Sequence, residues 1–570
     1  MAKKTKKTAK KTATFTPYTP PSNVLSLDAD GAMDFLLQTT QFMNCEMPEY
    51  IEFDEVLKFV KEKVGDKAFE DCCQSNPDDL HDVSLNVLVN KDGHYAVRPI
   101  TLANPYLYYL IVREMCSEKG WAAVKHCFEK FRVKNFSACA IPVIPQENES
   151  FHKSTTILNW WNNLEQRALE LSLEFKYMFV TDITNCYGTV NPQTIDWALS
   201  LKDTEFASAD NHQMAENIIR YLKALQQGRN IGLPQGGIAF NLIGEIILGY
   251  SDLLLHNKIQ QYFKKEKIKP VDYQIIRYCD DYRIFCNDMK VLQGISYLLQ
   301  EVLESLNFRM NSQKTKISTS IVTDAIKPDK LWYIENTPIF KGKDCSFGGI
   351  QKTLMYILLF GRKFPNGGQL KTMLSKLRIN IENRKFINEN IAPMCAVAVQ
   401  IAAENVNISH YALCIVSQLI SKLKTKERRE ILDKIVNKLI NRPNSKYDQL
   451  WLQNITYADD CKRKKPPYEY DFPLCQLVAN EDVELWNNSW LKPELTDGFP
   501  YKSIVNEEKR DEATATSTIT FREIRHYNEW LDSREMDAEE VVGEVDDDFE
   551  KPSEEELKKM NVIATFKFDE

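Results

Sequence analysis

YQIIRYCDDYRIFC, residues Tyr273–Cys286, decides the fold of this chain. The two apolar stretches Tyr273–Ile276 and Tyr282–Cys286 each have the length of a short strand. They predict a hairpin whose tight turn exposes Asp280 and Asp281. Because adjacent carboxylates repel each other, such a turn usually carries a divalent cation that neutralises them. Adjacent aspartates also occur in ordinary surface turns, so the prediction depends on a second acidic site.

That second site lies in YMFVTDITNCY, residues Tyr177–Tyr187. The apolar run predicts a buried strand that ends at Asp182, and an aromatic residue follows five positions later. Enzymes that join nucleotides use two Mg²⁺ ions about 3.5–4 Å apart. Mg²⁺ commonly takes one or two carboxylates plus substrate phosphates. Asp182 and Asp280 can supply these carboxylates, with Asp281 as a further ligand.

Two further blocks complete the pattern. GLPQGG, residues Gly232–Gly237, is a glycine-rich turn stiffened by proline, and the apolar segment Ile238–Leu248 after it predicts a helix. NSQKTK, residues Asn311–Lys316, follows the hairpin. An Asp-x4-aromatic strand, a Leu-Pro-Gln-Gly turn, a Tyr-x-Asp-Asp hairpin and a Lys-Thr segment, in this order, resemble the reverse transcriptases. The resemblance covers about half of the chain, from Val83 to Ile350.

The resemblance implies a catalytic centre. Asp182, Asp280 and Asp281 would be the catalytic residues, and the metal ligands would be these three residues and Ile183. The implied cofactor is Mg²⁺, as two ions, with Mn²⁺ as the alternative. The implied reaction adds deoxynucleotides to a 3′-hydroxyl by phosphoryl transfer. The chain would then be an RNA-directed DNA polymerase, a nucleotidyltransferase.

A second hairpin is predicted in NVLVNKDGHYAVRPI, residues Asn86–Ile100, because Asp-Gly between two apolar runs is a strong hairpin signal. Lys91 and Arg98 flank this turn, seven positions apart. In reverse transcriptases a similar hairpin places a Lys and an Arg over the incoming triphosphate, where they neutralise its β- and γ-phosphates. Two solvated cations on an exposed hairpin are the alternative, more so for Lys91 than for Arg98.

Three more residues bind the nucleotide if the resemblance holds. Tyr187 would stack beneath the sugar and exclude a 2′-hydroxyl, although an ordinary half-buried aromatic residue would give the same sequence. Gln235 would contact the base and sugar of the nucleotide. Lys314 would act on the departing pyrophosphate, and Lys316 is equally near in sequence.

The composition excludes several other classes. At 570 residues, with 43% hydrophobic and 27% charged residues, the chain predicts a soluble globular protein of two or three units. No apolar run appears long enough for a bilayer and the N-terminus lacks a signal region, so we expect a cytoplasmic protein with no membrane partner. The 14 cysteines include no Cys-x-x-Cys pair, which argues against zinc and disulfides. Neither a Walker A motif nor His-Glu-x-x-His is present.

The net charge of −8 is unevenly distributed. Residues Glu535–Glu556 contain twelve acids and one Lys, a local charge of −11, so the rest of the chain sums to −8 + 11 = +3. Six lysines within Met1–Lys11 exceed that sum. Any phosphate-binding channel must therefore be a local feature, which is sufficient because such binding depends on a few contacts.

The predicted fold class is α+β, with right-hand polymerase fingers and palm and an α-helical, repeat-like C-terminal region. In Ile408–Asn441, apolar residues recur at helical spacing on both sides of a charged turn, which predicts an antiparallel helix pair that buries one face of each helix. The predicted divisions are a disordered basic arm (1–22), an N-terminal helical segment (23–82), fingers (83–150), palm (151–350), a helical domain in place of a thumb (351–530) and an acidic tail (531–570).

A helical C-terminal region in place of a thumb is similar to the bacterial abortive-infection and defence-associated reverse transcriptases, and within them to the type 3 systems. The amino-acid sequences of the motifs Asp182–Tyr187 and Arg277–Phe285 are also similar to those of this group. This resemblance implies an antiviral role. Glu245 lies in an otherwise apolar helix, where a buried carboxylate needs a partner. Pairing with an Arg is favoured over a position facing the nucleotide channel.

The expected partners are deoxynucleoside triphosphates and a DNA product. The resemblance implies further partners, namely a noncoding RNA bound by the protein and either a second reverse transcriptase or a homo-oligomer. It also implies an unconventional template and priming on a protein hydroxyl. Two alternatives stay open at this point. One is a catalytically silent scaffold that binds nucleic acid or a partner, and the other is a ribonucleotide polymerase, against which Tyr187 argues.

Overall fold

The computed structural model describes residues 21–91, 96–145, 159–201, 209–267, 271–336, 349–382, 387, 390–460 and 468–521. Met1–Glu523 form one compact unit, and a second unit comprises Ile524–Glu570. The basic arm up to residue 20, the turn of the hairpin at residues 92–95 and the acidic tail lie outside the described residues. The domain boundaries proposed above stay predictions.

The strands of the described residues form two sheets. They are β1 Leu85–Asn90, β2 Val97–Leu102, β3 Phe136–Ala138, β4 Tyr177–Asp182, β5 Tyr273–Tyr278, β6 Asp281–Cys286 and β7 Lys316–Ser318. The first sheet is an antiparallel hairpin of β1 and β2, as predicted, and the second has the order β3-β5-β6-β4-β7. Within the second sheet only β3 and β5 pair in parallel.

Helices pack around the larger sheet and form most of the C-terminal half. Short 3₁₀ segments lie at Val24–Ser26, Pro77–Asp79, Val406–Ile408 and Tyr501–Ile504, and a π-helical turn at Trp161–Gln166 precedes the helix that begins at Arg167. The α-helices are α1 Ala29–Leu36, α2 Thr39–Phe42, α3 Asp54–Val64, α4 Phe69–Cys72, α5 Pro105–Cys116, α6 Glu118–Phe131, α7 Arg167–Leu171, α8 Cys186–Thr189, α9 Gln193–Leu199, α10 Ala209–Leu225, α11 Ile238–Lys265, α12 Met289–Ser305, α13 Ile321–Asp324, α14 Pro328–Asn336, α15 Ile350–Lys363, α16 Gly368–Glu382, α17 Ile391–Glu404, α18 Ser409–Ser421, α19 Thr425–Ile440, α20 Lys446–Asp460, α21 Pro473–Val478, α22 Pro493–Thr496 and α23 Glu507–Ala515.

Helix α11 is the central helix of the sheet-containing half and is longer than the predicted Ile238–Leu248. It packs against α2, α6, α9 and α12. By length and composition alone α11 is apolar enough to cross a bilayer, so the expectation that no run reaches this length is wrong. Its most apolar part is 83% buried inside the protein, as in a core helix. Helix α17 and the segment Val406–Ser421 are together long and apolar enough as well, but they are bent by 116° at the break between them.

The C-terminal half is helical, as predicted, and the two helices expected in Ile408–Asn441 are α18 and α19. Helix α18 differs from the prediction because it buries its whole circumference rather than one face. Every residue from Ser409 to Ser417 is buried, since α16, α17, α19 and α20 all pack around this helix. Helix α19 keeps the predicted single buried face, formed by Leu432, Ile435, Val436 and Leu439.

The chain after residue 468 returns to the N-terminal helices. Val505 forms a β-bridge with Ile51, and Leu491 forms one with Cys73. Trp490 is fully buried, with its ring centroid 5.8 Å from that of Phe69. The N-terminal helical segment therefore depends on residues more than 400 positions away for part of its core.

Replacing Trp490 with Ala should lower the free energy of unfolding by about 3–5 kcal/mol, because the change leaves a cavity in this shared core. Chemical denaturation followed by circular dichroism measures the loss as a lower midpoint. Tyr297→Ala is the control, since that aromatic side chain is 67% exposed and its removal should change the stability by less than about 0.5 kcal/mol. Equal effects of the two variants would contradict the packing described here.

Candidate active site

Three aspartates meet at one end of the five-stranded sheet. Strands β4 and β6 pair antiparallel with Asp182 opposite Asp281. Tyr278 pairs with Asp281, so the turn of the β5–β6 hairpin consists of Cys279 and Asp280, and Cys279 adopts the left-handed conformation (φ 48°) that this turn requires. The N–H of Ile183 donates to the carbonyl oxygen of Asp280 at 3.1 Å. These contacts bring together the strand that ends at Asp182 and the hairpin turn with Asp280 and Asp281, which the sequence predicts separately.

The negative charge of this cluster is only partly compensated by nearby cations. Burial, together with the neighbouring carboxylates of Asp281 and Asp182, raises the pKa of Asp280 to about 6. Burial also raises the pKa of Asp281, against which the positive charges of Lys327 and Arg283 act. The site therefore holds carboxylates that favour a cation.

Lys314 supplies part of the compensating positive charge in this structure. Its Nζ donates to Oδ2 of Asp182 at 2.6 Å, while the Lys314 side chain stays 58% exposed. The other oxygen, Oδ1 of Asp182, is buried and has no hydrogen-bond partner among the described residues. A buried carboxylate oxygen without a partner is costly, and an oxygen-seeking divalent cation would satisfy it.

The three aspartates do not, however, form a complete metal centre by themselves. Within the described ranges, no group of three or more His, Cys, Asp or Glu side chains is arranged to hold a metal ion. This agrees with the coordination preference of Mg²⁺, which takes one or two carboxylates and completes its coordination shell with water and substrate phosphates. The residues present fit such a cation, and the assignment of Ile183 as a further ligand stays a prediction.

The Gly232–Gly237 turn packs beside Tyr187, which follows the strand that ends at Asp182. The N–H of Leu233 donates to the carbonyl oxygen of Tyr187 at 2.7 Å. The ring of Tyr187 packs on Gly244 of α11, where an added Cβ would lie 3.3 Å from the ring. Burial raises the pKa of the Tyr187 hydroxyl well above its ordinary value, so that hydroxyl stays protonated. Tyr187 thus has a fixed position next to the aspartate strand.

The same turn holds the β1–β2 hairpin. The carbonyl oxygen of Gln235 accepts from the N–H of Thr101 in β2 at 2.6 Å. At Gly236, with φ 149°, an added Cβ would lie 2.4 Å from the carbonyl oxygen of Thr101, so only glycine allows this approach. Within the described residues neither Lys91 nor Arg98 of this hairpin forms an ion pair. The structure brings the hairpin to the turn but joins neither cation to the aspartates.

Arg277 is the residue that sequence reasoning missed. It is 1% exposed, and its guanidinium donates to Glu245 at 3.1 Å and to Asp252 at 2.9 Å. The same guanidinium donates to the carbonyl oxygen of Cys279 at 3.1 Å, and therefore holds the turn that carries Asp280. The favoured interpretation of Glu245, pairing with an Arg, is confirmed. The signal was present, because two acids seven positions apart lie on one face of the apolar helix α11.

Arg277→Met should lower the free energy of unfolding by about 3–5 kcal/mol, because Glu245 and Asp252 would remain buried without their cation. Thermal unfolding measures this loss. The triple variant Arg277→Met/Glu245→Gln/Asp252→Asn should recover most of it, since no buried charge is left unpaired. A triple variant no more stable than Arg277→Met would show that packing, rather than charge, holds this cluster together.

Comparison with known proteins shows what this part of the chain is similar to. Residues 128–351 match the family described as "Reverse transcriptase (RNA-dependent DNA polymerase)". No curated protein matches the chain. Among solved structures, telomerase from Candida albicans with a TWJ fragment of telomeric RNA matches at 12% identity and a TM-score of 0.28, over 67% of this chain and 68% of that chain.

Telomerase from Candida tropicalis, also with a TWJ fragment of telomeric RNA, matches at 12% identity and a TM-score of 0.24, over 62% of this chain and 64% of that chain. These TM-scores are too low to support a conclusion about this chain. The predicted fold class, polymerase fingers and palm followed by a helical C-terminal region, is confirmed. The residues that match this family, 128–351, contain the three aspartates, Tyr187 and Lys314.

Proposed function

We propose that this protein is a DNA polymerase of the reverse transcriptase type, which adds deoxynucleotides to a 3′-hydroxyl. The observation that carries the proposal is the pairing of Asp182 opposite Asp281, beside Asp280, within a domain of this family. Asp182 and Asp280 would hold two Mg²⁺ ions, or Mn²⁺ in their place, with Asp281 and Ile183 as additional ligands. When bound, such ions lower the pKa of the attacking hydroxyl and stabilise charge on the phosphoryl oxygens.

The other residues bind and orient the nucleotide in this proposal. Lys91 and Arg98 neutralise the β- and γ-phosphates, which is consistent with cations that have no ion-pair partner among the described residues. Tyr187 excludes the 2′-hydroxyl, and Gln235 contacts the base and sugar. Lys314, whose Nζ lies 2.6 Å from Oδ2 of Asp182, would donate a proton to the departing pyrophosphate.

The proposed setting is bacterial antiviral defence of the abortive-infection kind, in the cytoplasm, and it rests on the motif resemblance alone. The proposed partners are a noncoding RNA and either a second reverse transcriptase or a second copy of this chain, and priming on a protein hydroxyl belongs to the same proposal. Sequencing the nucleic acid that copurifies with the protein from infected cells tests template and product together. Recovery of no RNA and no DNA of defined sequence would contradict this setting.

Asp280→Asn should abolish incorporation of labelled deoxynucleotides and, without divalent metal, raise the thermal unfolding temperature. The folded protein binds a proton at Asp280 up to about pH 6, whereas the unfolded chain releases it near the ordinary value of 3.8. The ionised carboxylate therefore destabilises the fold increasingly as the pH rises from 3.8 to about 6. The stability gain of the variant should be full above pH 6 and vanish toward pH 4, near the ordinary pKa.

Asp272→Asn is the matched control, because this exposed carboxylate lies just before β5 of the same hairpin. It should change neither incorporation nor the unfolding temperature. Undiminished synthesis by Asp280→Asn would contradict the catalytic assignment. A metal-free unfolding temperature below that of the wild type would contradict the charge repulsion inferred for the cluster.

Tyr187→Val should lower the preference for deoxynucleotides over ribonucleotides by at least about tenfold in kcat/KM, because the ring that would meet the 2′-hydroxyl is removed. Tyr187→Phe keeps the ring and should keep the preference. Primer extension with each nucleotide class at several concentrations gives both ratios. A wild-type enzyme that prefers ribonucleotides would instead favour the ribonucleotide polymerase considered above.

A further inference from the structure

The hairpin that carries Lys91 and Arg98 is tied to the helical C-terminal half by the side chain of Asn90, the last residue of β1. Its amide Nδ2 donates to the carbonyl oxygen of Glu404 at 2.7 Å. Its Oδ1 accepts from the N–H of Val406 at 2.7 Å. Glu404 ends α17 and Val406 begins the next 3₁₀ segment, so one side chain bridges the corner between them.

Asn366 completes this tie from the loop between α15 and α16. Its Nδ2 donates to the carbonyl oxygens of Asn90 at 3.2 Å and of Lys91 at 2.9 Å. Its own N–H donates to Oδ1 of Asn405 at 2.9 Å, and Asn405 is fully buried. Asn366 has φ 55°, a left-handed conformation that asparagine tolerates better than most residues. The main chain of Lys91 is therefore held directly by the helical half.

The opposite end of the hairpin is fixed as well. Thr101 bonds to Gln235 of the turn beside Tyr187, and the indole N–H of Trp486 donates to the carbonyl oxygen of Leu102 at 3.2 Å. Helix α20 also packs against β1. Both ends of an otherwise two-stranded sheet thus depend on outside contacts, as expected because an isolated hairpin is only marginally stable.

We propose that Asn90, together with Asn366, is a positioning residue that fixes the hairpin on the helical half, so that Lys91 and Arg98 are in place before the nucleotide arrives. The role of the helical half is then to hold this hairpin still. The inference rests on the proposed polymerase function for its kinetic consequence, and on the observed contacts alone for its structural consequence. An unfixed hairpin would have to be ordered by each nucleotide, which weakens binding.

The test compares full-length wild type with Asn90→Ala and Asn366→Gly, the second of which keeps the left-handed backbone and removes only the side-chain bonds. Asn86→Ala is the control, because Asn86 lies on the same strand and accepts a bond from Thr101 within the hairpin itself. Amide hydrogen exchange over residues 85–90 and 97–102 reports the tie without any need for activity. Primer extension at varied deoxynucleotide concentration gives KM and kcat.

Both Asn90→Ala and Asn366→Gly should speed exchange in these strands and raise KM for deoxynucleotides about tenfold, with kcat within about twofold of the wild type. Asn86→Ala should leave KM unchanged. Because both variants break one tie, their double variant should add little to either alone. Unchanged exchange in Asn90→Ala would overturn the tie, and faster exchange with unchanged KM would overturn its role in nucleotide positioning. A wild type that incorporates no nucleotide would reject the polymerase proposal, while exchange would still decide whether the tie exists.

Discussion

The antiparallel pairing of β4 with β6 is the constraint on which the site depends. Side chains alternate between the two faces of a sheet, so a slip of one residue in this pairing would move Asp182 to the face opposite the Asp281 side chain. The register is secured on both sides of β4, because β7 pairs with its other edge and Ile183 bonds to Asp280 beyond its end. Two short stretches of sequence, almost 100 residues apart, therefore become one acidic site.

That site is stabilised from behind by charge rather than by packing alone. Arg277 sits between Glu245 and Asp252, two carboxylates for one guanidinium, and donates onward to the turn that presents Asp280. Removing such an arginine leaves two buried carboxylates without a partner, which lowers the stability of the fold more than losing an equal volume of apolar side chain. The protein thus keeps a destabilising cluster of aspartates at the sheet end by fixing its turn to a buried ion pair. Functional sites commonly carry such strain.

Local patterns predicted the parts of the fold that are local. The two hairpins, the strand ending at Asp182 and the helix after the glycine-rich turn all follow from runs of about ten residues, and the structure confirms them. The misses are contacts between distant segments. The full length of α11 was hidden because Asp252 and the polar residues after it follow the apolar run, and the cation that pairs with Asp252 lies on another element. The complete burial of α18 depends on the helices around it, which its own spacing cannot reveal.

The ties of the β1–β2 hairpin belong to this second group, since Asn90 and Glu404 are 314 positions apart. Their arrangement has a mechanical consequence. Hydrogen bonds run from the helical half to Asn90 at one end of the hairpin, and from Thr101 through Gln235 and Leu233 to Tyr187 at the other. A hairpin that closed on the nucleotide by a large swing would have to break bonds at both ends. In the proposed polymerase, fixed ends would leave nucleotide selection to the shape of the space between the hairpin, Tyr187 and the aspartates, which folding sets in advance.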